Sequence, residues 1–443
     1  MTLLVRDRVE VVNFGCRLNI AEGEAVRTAA QRGTTRETIV FNSCAVTDEA
    51  VRQARQAVRR ALRQRPDADV IVTGCAAELE AERFADMGAR VVGNDAKGLA
   101  ESYRANSGVS PRRRGPITDR RDIAPPGDGL PPSREHTAFS GATAVYTPAL
   151  SGADHARAFL GVQTGCSHSC TFCATVLARG TARSAAIGSV LESARTALAR
   201  GQREIVLTGV DLASYGDDSG TSLAALIEAL LALPVERLRL SSLDPDRIDD
   251  ALFALLTQEA RIMPHVHLSL QAGDDMVLTR MKRRHRRADA VALVRRLKAA
   301  RPAIAIGADL IAGFPTEDEA MFANSLALID DIDIVFGHIF PYSPRAGTPA
   351  ARMPQVARPV ARARAAALRE ANERRRQAWL DTQIGRTAAM LVERDGRTGH
   401  AENFAALTLA APAAPGNILP VRLVGRDGDR LIAAAIEKRE RTA

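Results

Sequence analysis

Every cysteine in this chain of 443 residues falls into one of two groups of three. Cys166, Cys170 and Cys173 lie in GCSHSCTFC, a C-x3-C-x2-C run. Cys16, Cys44 and Cys75 are about thirty residues apart, and each ends an apolar stretch: VEVVNFGC, TIVFNSC and DVIVTGC. Soft thiolates gathered in threes select zinc, copper(I) or iron–sulfur clusters. A structural zinc site takes four protein ligands, and His168, inside the short loop, is a candidate for the fourth. A four-iron cluster on three thiolates keeps one iron open to a substrate or cofactor, whereas ordinary electron-transfer clusters are closed by four cysteines.

The elements that must position these thiols follow from hydrophobic periodicity. VEVVNFG, ETIVFNS and ADVIVTG read as strands, separated by the helical AEGEAVRTAAQR and the long basic helix DEAVRQARQAVRRALRQ. This βαβαβ rhythm predicts an N-terminal parallel-sheet domain over residues 5–105, with ligand sites at the carboxyl ends of its strands. Cys16, Cys44 and Cys75 occupy that place on three successive strands. Three buried small hydrophobes would not require so regular a placement. Residues 106–142 are rich in proline and arginine without an apolar period, and read as a linker. AFLGVQT, REIVLTGV, RLRLSSL, HVHLSLQ, AIGADLIAGF and DIVFGHIF, with helical patterns between several of them, predict a partial (β/α)6 barrel over 143–381. From about Gly385 short strands and turns predict a small antiparallel β-barrel over 382–440, a shape common among RNA-contacting modules. The fold class is α/β, with that all-β module at the end.

A formal net charge of +8 and a pI near 9.6 suit a nucleic-acid partner. Lysine appears only at positions 97, 282, 298 and 438, so the basic charge is nearly all arginine, and a GC-rich genome would produce the same skew. No uninterrupted apolar stretch reaches the roughly 20 residues that span a bilayer. Met1 to Arg8 run almost directly into a strand, without the features of a signal peptide. A soluble cytoplasmic protein without membrane contact is expected, its thiols reduced, and there metal binding or catalysis outranks a disulfide framework.

The C-x3-C-x2-C loop after the first strand of a βα barrel resembles the radical S-adenosylmethionine superfamily. All three domains resemble one branch of it, the methylthiotransferases. GCRLNIAEGE is similar to that family's first-cysteine segment, with Cys16, Asn19, Glu22 and Glu24 at matching places; NSCAVTDEAVRQARQ and VTGCAAE match the second and third. The resemblance implies two [4Fe–4S] clusters and S-adenosylmethionine. Cys166, Cys170 and Cys173 would be the catalytic triad, holding the cluster whose open iron chelates the cofactor and which generates a 5′-deoxyadenosyl radical. Cys16, Cys44 and Cys75 would hold an auxiliary cluster that presents sulfur to the substrate. A second S-adenosylmethionine would donate the methyl group.

Further residues follow from the same resemblance. Thr208 and Gly209, in LTGVDLASYG, are candidates for binding the cofactor's amino group through the backbone. HVHLSLQAGDD and GADLIAGFPTE fall where ribose and adenine contacts are expected. His265 and His267, two apart in a strand, share one face, either the lumen or the helices. Arg179 and Arg183 resemble a segment near the substrate entrance, with a solvated salt bridge as the other reading. Of three branches, one acting on an aspartate of a ribosomal protein and two on an adenosine beside the tRNA anticodon, NSCAVTDEAVRQARQAVRR and IVLTGVDLASYG resemble the one for N6-threonylcarbamoyladenosine, with the N6-isopentenyladenosine branch as the main alternative. GRTAAMLVERDG and GHAENF resemble the TRAM RNA-binding domain, which with Arg52, Arg55, Arg59 and Arg60 would contact phosphates. The chain departs from the family at Thr175, Val176 and Leu177 after the cysteine loop, and at Ile20 and Ala21. The implied partners are tRNA, an electron donor such as a flavodoxin or ferredoxin, and a sulfur donor. A non-catalytic RNA-binding protein with two zinc sites is the reading from another class.

Overall fold

A computed structural model describes residues 8–104 and 146–436. The linker expected at 106–142 lies outside the described residues. The first unit is a parallel sheet in the order β1 (Val9–Asn13), β2 (Thr38–Ser43), β3 (Asp69–Gly74) and β4 (Arg90–Val91). Helices α1 (Arg17–Gly33), α2 (Asp48–Gln64), α3 (Cys75–Leu79) and α4 (Ala81–Asp86) connect the strands. All six residues of β2 are buried, as a strand covered on both faces requires. Helix α1 starts directly after Cys16, four residues before the expected AEGE segment. Its first turn is therefore buried and becomes part of the site.

The second unit begins with the short antiparallel strand β5 (Ala149–Leu150) beside β6 (Arg157–Gly161). The cysteine loop lies between the short strand β7 (Gln163–Thr164) and α5 (Thr175–Arg179), followed by β8 (Arg183–Ser184), which pairs with β7. The barrel then proceeds through α6 (Ile187–Ala199), β9 (Glu204–Thr208), α7 (Leu223–Leu231), β10 (Arg237–Leu240), α8 (Asp250–Gln258), β11 (His265–Gln271), α9 (Asp275–Arg280), α10 (Arg287–Ala300), β12 (Ala305–Ala312), α11 (Glu319–Asp331) and β13 (Ile334–Pro341). Strands β6, β9 and β10 are parallel neighbours, as are β11, β12 and β13. Two parallel bridges, Leu238 with Ile262 and Leu243 with Leu268, join the halves into one curved wall of six strands. Alternation puts Val266, Leu268, Ile205 and Leu238 into the apolar layer under the helices. The residues between them face inward, among them Glu204, Arg237, Arg239, His265 and His267, all buried.

Helix α12 (Arg358–Asp381) leads to the last unit, β14 (Thr387–Val392), β15 (Thr398–His400), β16 (Ala406–Leu409), β17 (Ile418–Asp427) and β18 (Arg430–Ala435). These close into a barrel in the order β14-β15-β16-β18-β17. Its pairs are antiparallel except β16 with β18, where the returning last strand seals the barrel in parallel. Phe404, at the tip of its β15–β16 loop, reaches the inner wall of the large barrel. Its ring centroid lies 4.9 Å from His265 and 5.7 Å from Phe336, with the Arg239 guanidinium 4.9 Å away. The expected RNA-contacting module thus also plugs the amino-terminal end of the large barrel.

Candidate functional site

The first three strands end in one plane, and their carboxyl ends are laced together by polar side chains. Asn19, wholly buried in the first turn of α1, donates to the carbonyls of Phe14 at 2.7 Å and Ser43 at 3.2 Å. Asn42 donates to Asn13 Oδ1 and to the Asn19 carbonyl. Ser43 Oγ donates to the Thr73 carbonyl at 2.5 Å and accepts from Ala77 N–H at 3.1 Å. Two glycines make this approach possible. Gly15 has φ +87° and a Cβ there would strike Cys44; Gly74 has φ +92° and a Cβ there would strike the Ser43 backbone. The motif residues beside Cys16, Cys44 and Cys75 thus fix three loops at one edge, as expected for strand-end cysteines.

Of the three thiols, Cys16 is exposed, Cys75 half-buried and Cys44 buried. Burial pushes the Cys16 thiol up, with the Cys75 thiol adding to the rise and the Arg179 guanidinium opposing it. Burial raises Cys44 to about 11 and, in the other triad, Cys166 to about 12. As free thiols these groups hold their protons at neutral pH, and metal loading must release them.

The second triad sits in the loop between β7 and α5. Cys173 Sγ is 3.0 Å from Thr175 Oγ1, and its sulfur accepts from Thr175 N–H at 3.4 Å. Cys166 accepts from His168 N–H at 3.4 Å. Arg283 Nη1 lies 3.5 Å from Cys170 Sγ, while its Nη2 is anchored by Asp244 at 2.6 Å and the Ser269 carbonyl at 2.8 Å. The His168 imidazole lies beside Asp211, with Nε2 2.9 Å from Oδ2, and the same oxygen is 3.8 Å from Cys166 Sγ. Burial opposes ionisation of Asp211, but hydrogen bonds from His168 and Ser214 outweigh it and keep its carboxyl below the usual range. Gln163 Oε1 accepts from Val210 N–H at 3.0 Å and Asp211 N–H at 2.9 Å, and packs against Gly209. Thr208, at the end of β9, has its carbonyl bonded to Val162 N–H at 3.0 Å. Gly209, one step beyond the strand, stands at the carboxyl end of the barrel beside the cysteine loop.

The two triads meet through Arg179. It follows the C-x3-C-x2-C loop at the end of α5, and α5 packs on α3, which starts at Cys75. Arg179 Nε donates to Cys75 Sγ at 3.1 Å, Nη1 to Glu22 at 2.8 Å and Thr164 at 3.2 Å, and Nη2 to Asn19 Oδ1 at 3.0 Å. Lys97 Nζ donates to the same Glu22 carboxylate at 2.6 Å. Asn94 Nδ2 adds a bond to the Ala178 carbonyl at 2.9 Å. Neither expectation for Arg179, an entrance residue or a solvated ion pair, describes a guanidinium only 3% exposed between the units. Arg183 does form a partly exposed pair, with Asp95 at 3.0 Å. Of the family-matching residues, Asn19 and Glu22 join this network, whereas Glu24 pairs at the surface with Arg27.

His265 and His267 both face the lumen. His265 packs among Phe336, Phe404 and His267, and burial drives its pKa well below the usual value. His267 and His338 both approach Asp309 Oδ1, at 3.1 and 3.3 Å. These three ligand atoms lie within 4.8 Å of one another; among the described residues, neither cysteine triad is so tight. A single zinc ion, with Zn–S near 2.3 Å, would draw its thiolates to about 4 Å apart. Three soft thiolates in each triad are the donor set of a cluster that keeps one iron open.

Several contributors carried no local sequence signal. Arg283 and Asp211 lie far along the chain from the cysteines they touch. Lys97, one of four lysines in the chain, was the conspicuous exception that rarity could have flagged.

Residues 160–329 match the radical SAM superfamily, and residues 8–93 match the uncharacterized protein family UPF0004. The threonylcarbamoyladenosine tRNA methylthiotransferase MtaB of Rickettsia prowazekii is 39% identical over 426 residues, covering 94% of this chain and 95% of the relative. The tRNA-2-methylthio-N(6)-dimethylallyladenosine synthase of Erythrobacter litoralis is 30% identical, covering 87% of this chain and 86% of that protein. The radical S-adenosylmethionine methyltransferase TsrM of Kitasatospora setae shares the fold at a TM-score of 0.52 and 15% identity, covering 77% of this chain and 74% of that one. Identity of 39% over nearly the whole of both chains, together with two separate triads of thiols on the expected elements, places the chain in the radical S-adenosylmethionine methylthiotransferase family.

Proposed function

We propose that this protein is a tRNA methylthiotransferase that converts N6-threonylcarbamoyladenosine, next to the anticodon, to its 2-methylthio derivative. Family membership entails S-adenosylmethionine and a [4Fe–4S] cluster. We assign that cluster to Cys166, Cys170 and Cys173, and a second [4Fe–4S] cluster to Cys16, Cys44 and Cys75. When bound, these groups supply radical chemistry at an unactivated C–H bond, sulfur and a methyl group. The observation that carries the reading is Arg179, which follows one triad in sequence and donates to a thiol of the other at 3.1 Å. Both triads therefore serve one interior, in which one base can meet both.

The chain's own residues do the holding and shielding. Asn19, Asn42 and Ser43 fix the three loops that carry the first triad. Arg283 and the backbone N–H of Thr175 donate toward the second. Gly209 and Gln163 form the floor on which we place the amino end of the cofactor; Thr208, its carbonyl already bonded, supports that floor. Phe404 closes the far end of the barrel to water. The threonylcarbamoyl substrate is preferred over the isopentenyl one because the relative acting on the former is 39% identical and that named for the latter 30%. An electron donor of the flavodoxin or ferredoxin type and a sulfur donor complete the proposed reaction, in the cytoplasm. Among the described residues no helix is long and apolar enough to cross a membrane.

Anaerobic reconstitution, nucleoside analysis of tRNA and two variants test this reading. About eight irons per chain with matching sulfide are expected, and a deletion strain should lose 2-methylthio-N6-threonylcarbamoyladenosine and regain it on complementation. Cys16→Ala should abolish methylthiolation yet leave reductive cofactor cleavage detectable, whereas Cys173→Ala should remove both. Zinc in place of iron, or an unchanged nucleoside profile, would reject the assignment.

A further inference from the structure

We propose that Arg17 receives the carboxylate of the threonylcarbamoyl side chain, and so selects the acidic substrate base over neutral N6-alkyl adenosines. This inference rests on the function proposed above and names the residue that reads the modification. Arg17 directly follows Cys16 and opens α1. Its guanidinium points into the large barrel, 5.4 Å from the Phe404 ring. The charged groups whose fields act on it are Arg157, Arg239, Glu204 and Asp309.

Both of those carboxylates are already committed. Glu204 Oε1 accepts from Arg239 Nε at 2.9 Å, with Arg237 also near at 3.7 Å. Asp309 Oδ1 is shared by His267 and His338. The neighbouring arginines have partners too: Arg157 meets Glu393 at 2.9 Å, and Arg239 meets Glu204. Among the described residues, Arg17 alone of this group has neither an ion pair nor a side-chain hydrogen bond. A half-buried cation with no ion-pair partner of its own is incompletely compensated, and an arriving anion completes that compensation. A guanidinium fork takes a carboxylate through two parallel hydrogen bonds.

The substrate base brings such an anion. Its N6 substituent ends in a carboxylate, whereas an isopentenyl group ends in methyls. C2 and the carbon bearing N6 both flank N1 of the adenine ring. A substituent held by the residue after Cys16 therefore leaves C2 facing the triad that we assign to sulfur. An isopentenyl group in the same place would leave Arg17 half-buried and unpaired, which is discrimination by an unmet charge.

A tRNA phosphate is the other anion that could meet Arg17, and an auxiliary cluster is a third counter-charge. Three anticodon stem-loops separate these sources: one with N6-threonylcarbamoyladenosine, one with its methyl ester, and one unmodified. Binding to the cluster-loaded protein is measured by fluorescence polarisation, together with KM and kcat. Wild type should bind the acid at least tenfold more tightly than the ester. Arg17→Gln should bind both as wild type binds the ester, with a tenfold or greater rise in KM for the acid, a smaller change in kcat and unchanged iron content. Arg17→Lys should recover part of the preference. Equal weakening toward acid and ester would assign the guanidinium to a phosphate, and loss of iron in Arg17→Gln would assign it to the cluster; either overturns the proposal. If wild type bound the modified stem-loops no better than the unmodified one, the substrate reading itself would fail, and this inference with it.

Discussion

Replacing Arg179 by methionine keeps the length and apolar bulk of the side chain but removes every donor that joins the two triads. The guanidinium and the Glu22 carboxylate are 3% and 7% exposed, so the loss falls on a buried ion pair. Removing one member of such a pair costs about 3–5 kcal/mol, because the remaining charge is left without compensation. Lys97, 2.6 Å from the same carboxylate, keeps part of that compensation. The expected loss is therefore smaller, about 2–3 kcal/mol, or roughly a 30- to 150-fold change in a local opening equilibrium. A chain of several units does not unfold in two states, so a single melting temperature is the wrong observable. Native-state hydrogen exchange resolves the site. In Arg179→Met, amides of α1 and α3 should exchange faster by that factor, while those of the C-terminal barrel should not change. Arg179→Lys should be intermediate, since one ammonium can pair with Glu22 but cannot also serve Cys75 and Asn19. Unchanged exchange in α1, or equal acceleration in the C-terminal barrel, would refute the claim that Arg179 clamps the triads together.

Two further outcomes follow from charge placement. Burial pushes the Glu22 carboxyl up, yet Arg179 and then Lys97 outweigh it and hold the group at about 2. Its ionised form is thereby favoured by about 3 kcal/mol in the folded chain. That stability is present above about pH 4.5 and is lost as pH falls toward 2; exchange of α1 amides should rise over this window in wild type and far less in Glu22→Gln. Matching profiles for the two proteins would sink the assignment. On α2, Arg52 and Arg55 are engaged by Glu49 and Glu80, whereas Arg59 and Arg63, in the same cationic groove as Arg83, have no such partner among the described residues. Each phosphate contact contributes about 0.7–0.9 to the slope of log affinity against log salt, so Arg59→Gln with Arg63→Gln should flatten the tRNA slope by about 1.4–1.8. An unchanged slope would place the RNA on another face.

What the sequence discloses and what it hides divide along the range of the interactions. The strand-end cysteines could be read from local patterns, because an apolar run ending in cysteine reports its own geometry and parallel strands end on one side. The alternation in RLRLSSL and HVHLSLQ likewise marked one face as different, but not which way it turned. Arg237 and Arg239 would ordinarily be assigned to solvent; in the structure they are 3% and 0% exposed, because Glu204 neutralises them inside the barrel. Such burial depends on a pair of residues about thirty-five positions apart, and no local window contains both. The same holds for the clamp: Arg179 and Cys75 are 104 positions apart. Nothing near either residue announces the other, and the separation spans the Pro/Arg-rich segment between the units. The physical consequence is that neither unit holds a complete site. The first triad lacks the donor to Cys75 unless α5 docks on α3, and Glu22 keeps only Lys97 as its charge partner. Docking of the two units and construction of the site are therefore one event, and a variant that separates them should lose the environment of both triads even with all six cysteines in place.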